Sequence, residues 1–347
     1  MKTGKTLSQL AAELERQQNA KRDIVADTRK LTMLSTENAF QMEINGAKET
    51  FPITDIAGKQ IADHTGIPTK YYEKMPQELR AINVNHWNNA DHSKRLVRTL
   101  DGKARAFLSE RYKMLDNFDL AEAVLPVLQE FPDAKIESCE LTDRRMYIKA
   151  LFPRIEGELA KGDLVQSGVV ISNSEIGQGS LRVEPLIYRL VCTNGLISNI
   201  STRAYHLGKA LGLEDNAREI YRNETIKADN KAFWMKIQDT VRASVDQVSF
   251  NKTVKEMQRT MGMEMEADPV TVIERAQKRF LFSDSETSLV TRHLLGESDF
   301  SAFGLLNAVT RTAQDLPDYD RATEFERFGG QILELSPSDW NHMARAA

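Results

Sequence analysis

The sequence predicts an α+β fold: a central antiparallel sheet built from hairpins over roughly residues 94–192, flanked by N-terminal helices and followed by a C-terminal helical part. Three observations carry this. The run SKRLVRTLDGKARAFLS (93–109) alternates on both sides of Asp101-Gly102, a pair that favours a two-residue type I′ turn and so sets a hairpin register. Alternation resumes over 136–142, 145–152, 164–172 and 181–192, the pattern of half-buried strands. From about residue 214 the spacing turns helical, with no proline or glycine until the break at Met261–Pro269. Three regions follow: an N-terminal helical region (1–93), a sheet core (94–213) and a helical extension or second domain (214–347).

The order along the chain supports each element. The N-terminal stretch places Leu7, Leu10, Ala11 and Leu14 on one face of an amphipathic helix. Residues 55–80 read as two short helices, with Gly66 closing the first and Pro68 opening the second. The phrase has the cadence of a DNA-reading helix-turn-helix. Its second helix, however, offers only Lys70 and Lys74, offset by Glu73, while Tyr71, Tyr72 and Met75 suit packing, so a plain helical hairpin is the preferred reading. A helix is expected over 118–131. Pro185 marks a bulge or an edge in the last long strand. Further helices are expected near 270–281, 286–295 and 301–315.

Composition narrows the function classes. Of 347 residues, 41% are hydrophobic and 28% charged, ordinary values for a globular protein. No apolar run approaches the length of a membrane span, and the N-terminus lacks the apolar core of a signal peptide. The two cysteines, Cys139 and Cys192, stand far apart, which points to a reducing cytoplasm with neither a disulfide framework nor a zinc site. Net charge is −4 overall, divided as +2 over residues 1–213 and −6 over the rest. The acidic part either shields a binding face or keeps the chain in solution.

Evidence for catalysis is thin. Cys192 ends the alternating run YRLVC before Asn194-Gly195, and His206 follows fourteen residues later. A nucleophilic cysteine needs such a base, but the preferred reading is that CTNG closes the sheet and starts a helix. The six histidines show no metal-ligand spacing, and no cofactor is expected. The loop NSEIGQGS (173–180) holds a lone G-x-G, but no helix start or Lys-[ST] follows Gly179, which a phosphate loop requires.

Anion binding has more support. In the register set by Asp101-Gly102, Thr99 faces Ala104 and Arg98 faces Arg105. Like charges opposed on a sheet repel, unless the pair holds something negative. Lys94, Arg95, Lys103 and Arg111 widen this patch, with Lys113 nearby and Asp101 and Glu110 as the local acids. Arg189, Arg203 and Lys209 add a second basic segment without acids, and Trp87, Phe107, Tyr112, Tyr188 and Tyr205 are interleaved. Basic residues that track a backbone, with rings that stack bases, are the ingredients of single-strand binding. In the competing reading Arg98 and Arg105 are neutralised by the chain's own acids, such as Glu110 or Glu184.

Several phrases together, GIPTKYYEKM with NVNHWN, FLSERYKMLDN, SNSEIGQGSLRVEPLIYRLVCTNGL and NAVTRTAQDLPDYDRATEFERFGGQIL, resemble the phage and plasmid proteins grouped as domain-of-unknown-function family 932, over about residues 55–340. The resemblance implies a setting on mobile elements, among genes for DNA metabolism or host defence, and carries over no catalytic residues. The leading expectation is a non-enzymatic nucleic-acid-binding protein, forming an oligomer and binding single strands as phage annealing proteins do. Arg98, Lys103 and Arg105 would contact phosphates, Lys94, Arg95, Arg111 and Arg189 would extend the patch, and Trp87 or Tyr112 would stack. The alternative is a protein-interaction module, or an inhibitor of a host defence factor, using the acidic helical half.

Overall fold

The computed structural model describes residues 1–36, 39–44, 49–198 and 223–346. The chain divides into two compact units. An N-terminal unit comprises Ala11–Phe118 with Ser174–Gln178, and a larger unit comprises Met1–Leu10, Asp119–Asn173 and Gly179–Ala347. The α+β class holds, but among the described residues the strands form three antiparallel sheets rather than one, and the hairpin expected at the head of the central sheet groups with the N-terminal unit.

The N-terminal region contains strands that period reading passes over. After α1 (Leu7–Ala20) come β1 (Arg22–Asp27), a single 3₁₀ turn (Thr28–Lys30), β2 (Leu31–Ser35), β3 (Phe40–Ile44) and β4 (Glu49–Pro52). Three helices follow, α2 (Asp55–Thr65), α3 (Thr69–Lys74) and α4 (Gln77–Ala90), then the hairpin β5 (Lys94–Leu100) and β6 (Lys103–Ser109). The sheets are ordered β2-β3-β4 and β1-β5-β6. Met33 and Met42 pair across β2 and β3, and with Phe51, Ile61, Val84, Val97 and Phe107 they form one buried core. Thr54 caps α2 through the Ala57 N–H, and Gly66 closes it at φ 69°, as the sequence implies. In α1, Leu10 and Leu14 are buried while Ala11 is exposed.

The larger unit is built on a five-stranded sheet. Following α5 (Asn117–Gln129), the strands are β7 (Lys135–Leu141), β8 (Met146–Glu158), β9 (Leu164–Asn173), β10 (Arg182–Arg189) and β11 (Asn194–Ile197), ordered β11-β10-β9-β8-β7. Pro185 sits inside β10, one residue before the β11 ladder begins at Leu186, so its missing N–H interrupts no pairing with β11. Helices complete the unit: α6 (Asn223–Ser244), α7 (Gln247–Met261), α8 (Pro269–Phe280), α9 (Asp284–Glu297), α10 (Ala302–Asp315), α11 (Tyr319–Leu333) and α12 (Pro337–Ala344). The long helical run therefore breaks earlier than its composition suggests, where Asp246 caps α7 by accepting from the Ser249 N–H. Phe282 stacks on Phe325 at 4.8 Å in the core of the helices. Gly330 brings the α11 backbone onto β11: a Cβ there would lie 1.9 Å from the Ile197 carbonyl oxygen.

Charges lie beneath α11. Lys149 Nζ donates to Glu326 Oε2 at 2.6 Å, and neither side chain has any exposure. Burial lowers the Lys149 pKa, opposed by the Glu326 charge. Beside them Arg327 grips Glu184 with two nitrogens, at 2.9 and 2.7 Å. Removing one member of such a pair strands the other without water, at a cost of about 3–5 kcal/mol. Lys149→Met should therefore lower stability in chemical denaturation by that order, whereas Lys149→Met/Glu326→Leu should recover most of the loss.

Candidate nucleic-acid interface

The hairpin turn forms as its sequence dictates, with Asp101 at φ 50° and Gly102 at φ 71°. Leu100 faces Lys103 and Thr99 faces Ala104, but the register then shifts: Arg98 faces Ala106, Val97 faces Phe107 and Leu96 faces Leu108. Arg105 is the extra residue of a β-bulge, and a bulge re-aims the side chain it carries. The expected Arg98–Arg105 pair is therefore absent.

Both arginines are also held by the chain's own acids. Arg98 has no exposed side-chain surface. Its Nε and one terminal nitrogen donate to Asp23 at 2.8 and 3.0 Å, that nitrogen also to Asp116 at 2.6 Å, and the other to the Glu175 carbonyl at 2.9 Å. Burial works against the Arg98 charge, but Asp23 and Asp116 outweigh it and raise its pKa. Arg105 pairs with Glu175 Oε2, and Glu175 Oε1 accepts from the Asn117 backbone N–H at 2.6 Å. Lys21 adds a third cation on Asp116. Three cations and three carboxylates close on one another, so these guanidinium groups are not available to a polyanion. The competing reading is the one observed, with Asp23, Asp116 and Glu175 in the roles assigned to Glu110 and Glu184. None of the three is recognisable from local sequence, because Asp23 arrives through β1 and Glu175 through the segment 174–178.

The remaining predicted residues divide. Arg189 lies in the larger unit, held by Asp163 at 2.7 and 2.8 Å and set over the Phe303 ring. Tyr112 donates its hydroxyl to the Ser174 carbonyl at 3.0 Å and packs, half-buried, against the cluster of Leu96, Ala106, Leu108 and Ile176. Arg95 lies over Phe107 at 5.0 Å, and burial lowers its pKa. Lys103 is exposed at the hairpin tip, and Arg111 is exposed after β6. Arg203, Tyr205, His206 and Lys209 lie outside the described residues.

Two predicted residues, Trp87 and Lys94, are also exposed. Trp87 is 48% exposed on the last turns of α4, edge-on to His86 at 5.1 Å. Lys94 begins β5 and is exposed, opposite Asp27 in the ladder. The 3₁₀ turn brings Arg29 and Lys30 to the same end, because the Thr28 N–H donates to the Ser93 carbonyl and its hydroxyl to the Asp91 carbonyl. His92 is exposed between these elements. The nearby acids are engaged: Asp27 is gripped by Arg29 at 2.8 Å twice, and Asp91 accepts from Ser93 and pairs with His64 at 2.9 Å. What remains is a half-exposed indole late in α4, the helix that packs on the 3₁₀ turn carrying the exposed Lys30, with the exposed Lys94 shortly after that helix in the chain. Lys30 is more than 60 residues from Lys94, and only strand pairing unites them.

The CTNG segment also differs from expectation. Residues 190–193 are a turn, and Asn194 starts β11, not a helix. Within it Thr193 has a positive φ, at 54°. The Cys192 carbonyl accepts from Arg311 at 3.0 Å and Gln314 at 3.1 Å, so α10 clamps the turn. The backbone of this turn serves architecture, while the half-buried Cys192 Sγ lies 3.5 Å from an Arg189 nitrogen.

The profile of the domain of unknown function DUF932 matches residues 105–315. The chain belongs to this family. No curated protein and no solved structure matches it. Among the described residues of this DUF932 protein, no helix is long and apolar enough to cross a membrane, and no group of three His, Cys, Asp or Glu side chains could hold a metal ion.

Arg98→Met in the DUF932 protein should cost roughly 3–5 kcal/mol in denaturant titration, because Asp23 and Asp116 lose their shared partner. Lys103→Ala should stay within about 0.5 kcal/mol. A pH dependence follows from Asp116. Burial pushes its carboxyl up, but Arg98 and Lys21 more than offset this and hold it below the ordinary carboxylate value. Its stabilisation is therefore present above that value and is lost as pH falls through the depressed one. The thermal midpoint should begin to drop as pH falls toward the ordinary carboxylate range and keep dropping below it, and Asp116→Asn should flatten that dependence.

Proposed function

We propose that this protein binds single-stranded nucleic acid on the surface around Trp87, with a base stacked on the indole and phosphates met by Lys94 and Lys30. The observation that carries the reading is an aromatic ring left half in water near a helix end, with exposed Lys30 and Lys94 on the elements next to that helix, while the acids Asp27 and Asp91 are engaged by other partners. An exposed indole gains area and π contact from any base, so sequence preference should be slight. Such binding suits action in the cytoplasm of a cell carrying a phage or plasmid, as an oligomer along a strand.

Fluorescence anisotropy with a labelled oligonucleotide tests this. Trp87→Ala should weaken binding by about 1–3 kcal/mol, the worth of one stacked base, and Lys30→Glu/Lys94→Glu should weaken it further. With two phosphates neutralised, log K against log salt should slope at about −1.4. Equal binding by wild type and Trp87→Ala would remove the reading.

A second reading rests on the same helix. Leu79 and Ile82 are 41% and 66% exposed, one helical turn apart on the outer face of α4, and an apolar stripe of that kind serves a protein partner. Leu79→Asp/Ile82→Asp would leave oligonucleotide binding intact while abolishing such a contact.

A further inference from the structure

We propose a separate site for a multiply charged phosphate in the cleft between α8 and α12, in the larger unit. The hollow has a volume of about 1030 Å³, ample for a small ligand. Arg275, Lys278 and Arg279 line one wall, and His342 and Arg345 the other. Among the described residues, Asp339 is the carboxylate of the lining.

The wall is fixed rather than fluid. Arg275 donates to the carbonyls of Met343 at 2.9 Å and Arg345 at 2.8 Å, groups that the end of a helix leaves without internal partners. This ties the end of α12 to the middle of α8 and leaves the Arg275 charge without a carboxylate. Lys278, Arg279 and Arg345 are exposed, and no ion pair involves them among the described residues. Asp339 is already the acceptor for the Ser336 hydroxyl at 2.7 Å. That bond lowers its pKa, with further lowering from Arg279 and His342. Among the described residues one carboxylate, still charged, faces four permanent cations, so the lining stays net positive.

Basic residues in a last helical turn ordinarily complement the negative end of the helix dipole, and this accounts for Lys278 and Arg279. It does not account for Arg275 and Arg345 converging on the same hollow from two elements. Among the described residues no Phe, Tyr or Trp lines the cleft, so recognition there runs through charge and the hydroxyl and amide of Ser338 and Asn341. A phosphate group meets those terms and a base does not. Its source is either a small polyphosphate or the backbone of a strand.

Isothermal titration of the full chain at low salt, with inorganic tripolyphosphate and separately with a short oligonucleotide, tests the site. Tripolyphosphate should bind wild type and Trp87→Ala alike, and Lys278→Glu/Arg279→Glu should lose at least tenfold in affinity. If oligonucleotide affinity falls in that variant too, the phosphate belongs to a strand; if it is unchanged, the ligand is small. Thermal melting checks the fold, and Arg345→Glu replaces the double variant if the latter melts early. The site is overturned if tripolyphosphate gives no binding at millimolar concentration, or if the charge-reversed variant binds as wild type does. It is equally overturned if Lys30→Glu/Lys94→Glu removes tripolyphosphate binding instead. Failure at Trp87 leaves this site standing, and the converse also holds.

Discussion

Everything in the N-terminal unit is organised around one buried guanidinium. A charge with no exposed surface is tolerated only when its donors are satisfied and an opposite charge is close. Arg98 meets both conditions through Asp23 on β1, Asp116 ahead of α5 and the Glu175 carbonyl. Each partner comes from a different part of the chain, so the arginine fixes strand, turn and inserted segment together. Arg105 and Lys21 complete the neutralisation by engaging Glu175 and Asp116 from their other sides. Such a cluster adds specificity more than raw stability, because hydrophobic residues of the same volume would cost less to bury.

The phrases that carry the DUF932 resemblance contribute to constructions of this kind. FLSERYKMLDN supplies Tyr112, Asp116 and Asn117, and SNSEIGQGS supplies Ser174 and Glu175, which bind one another or Arg98. RVEPLIYRLVCTNGL supplies Glu184 and the turn at Cys192. The NAVTR…FERFGG phrase supplies Arg311 and Gln314 that hold that turn, Arg327 that pairs with Glu184, and Gly330 that lets α11 lie against β11. Polar residues in such phrases invite a catalytic reading. Here the bonds named tie separate elements to one another, and in them these residues specify the fold.

Legibility followed the range of the interactions. The Asp101-Gly102 turn, the Gly66 cap and the helix over 117–129 depend on neighbours a few residues away, and each was readable. Strands β8 and β9 were readable for the same reason, since alternation is a local pattern. Strands β1 to β4 were missed because they are short and follow an amphipathic helix that biases the reading of the first 93 residues. The bulge at Arg105 was invisible because the turn alone implies an unbroken ladder, and the partner of the re-aimed side chain, Glu175, comes from a distant segment. Trp87 and Lys94 were legible as an aromatic beside a base, but Lys30 was not, since β1 pairing places it there.

These ranges also bear on where function sits. The DUF932 match begins at residue 105, after Trp87, Lys94 and Lys30, whereas Arg275, Lys278 and Arg279 fall inside it. A stacking surface around Trp87 would belong to the part of this chain that precedes the match. A phosphate cleft on α8 would draw one wall from within the match and the other, with Arg345, from beyond it. The match does include Arg105 and Glu175 but not Arg98 or Asp23, so the neutralised cluster straddles its boundary. A basic residue inside such a cluster is a structural element whatever its position in the match, and only cations whose charge remains unbalanced are candidates for a ligand.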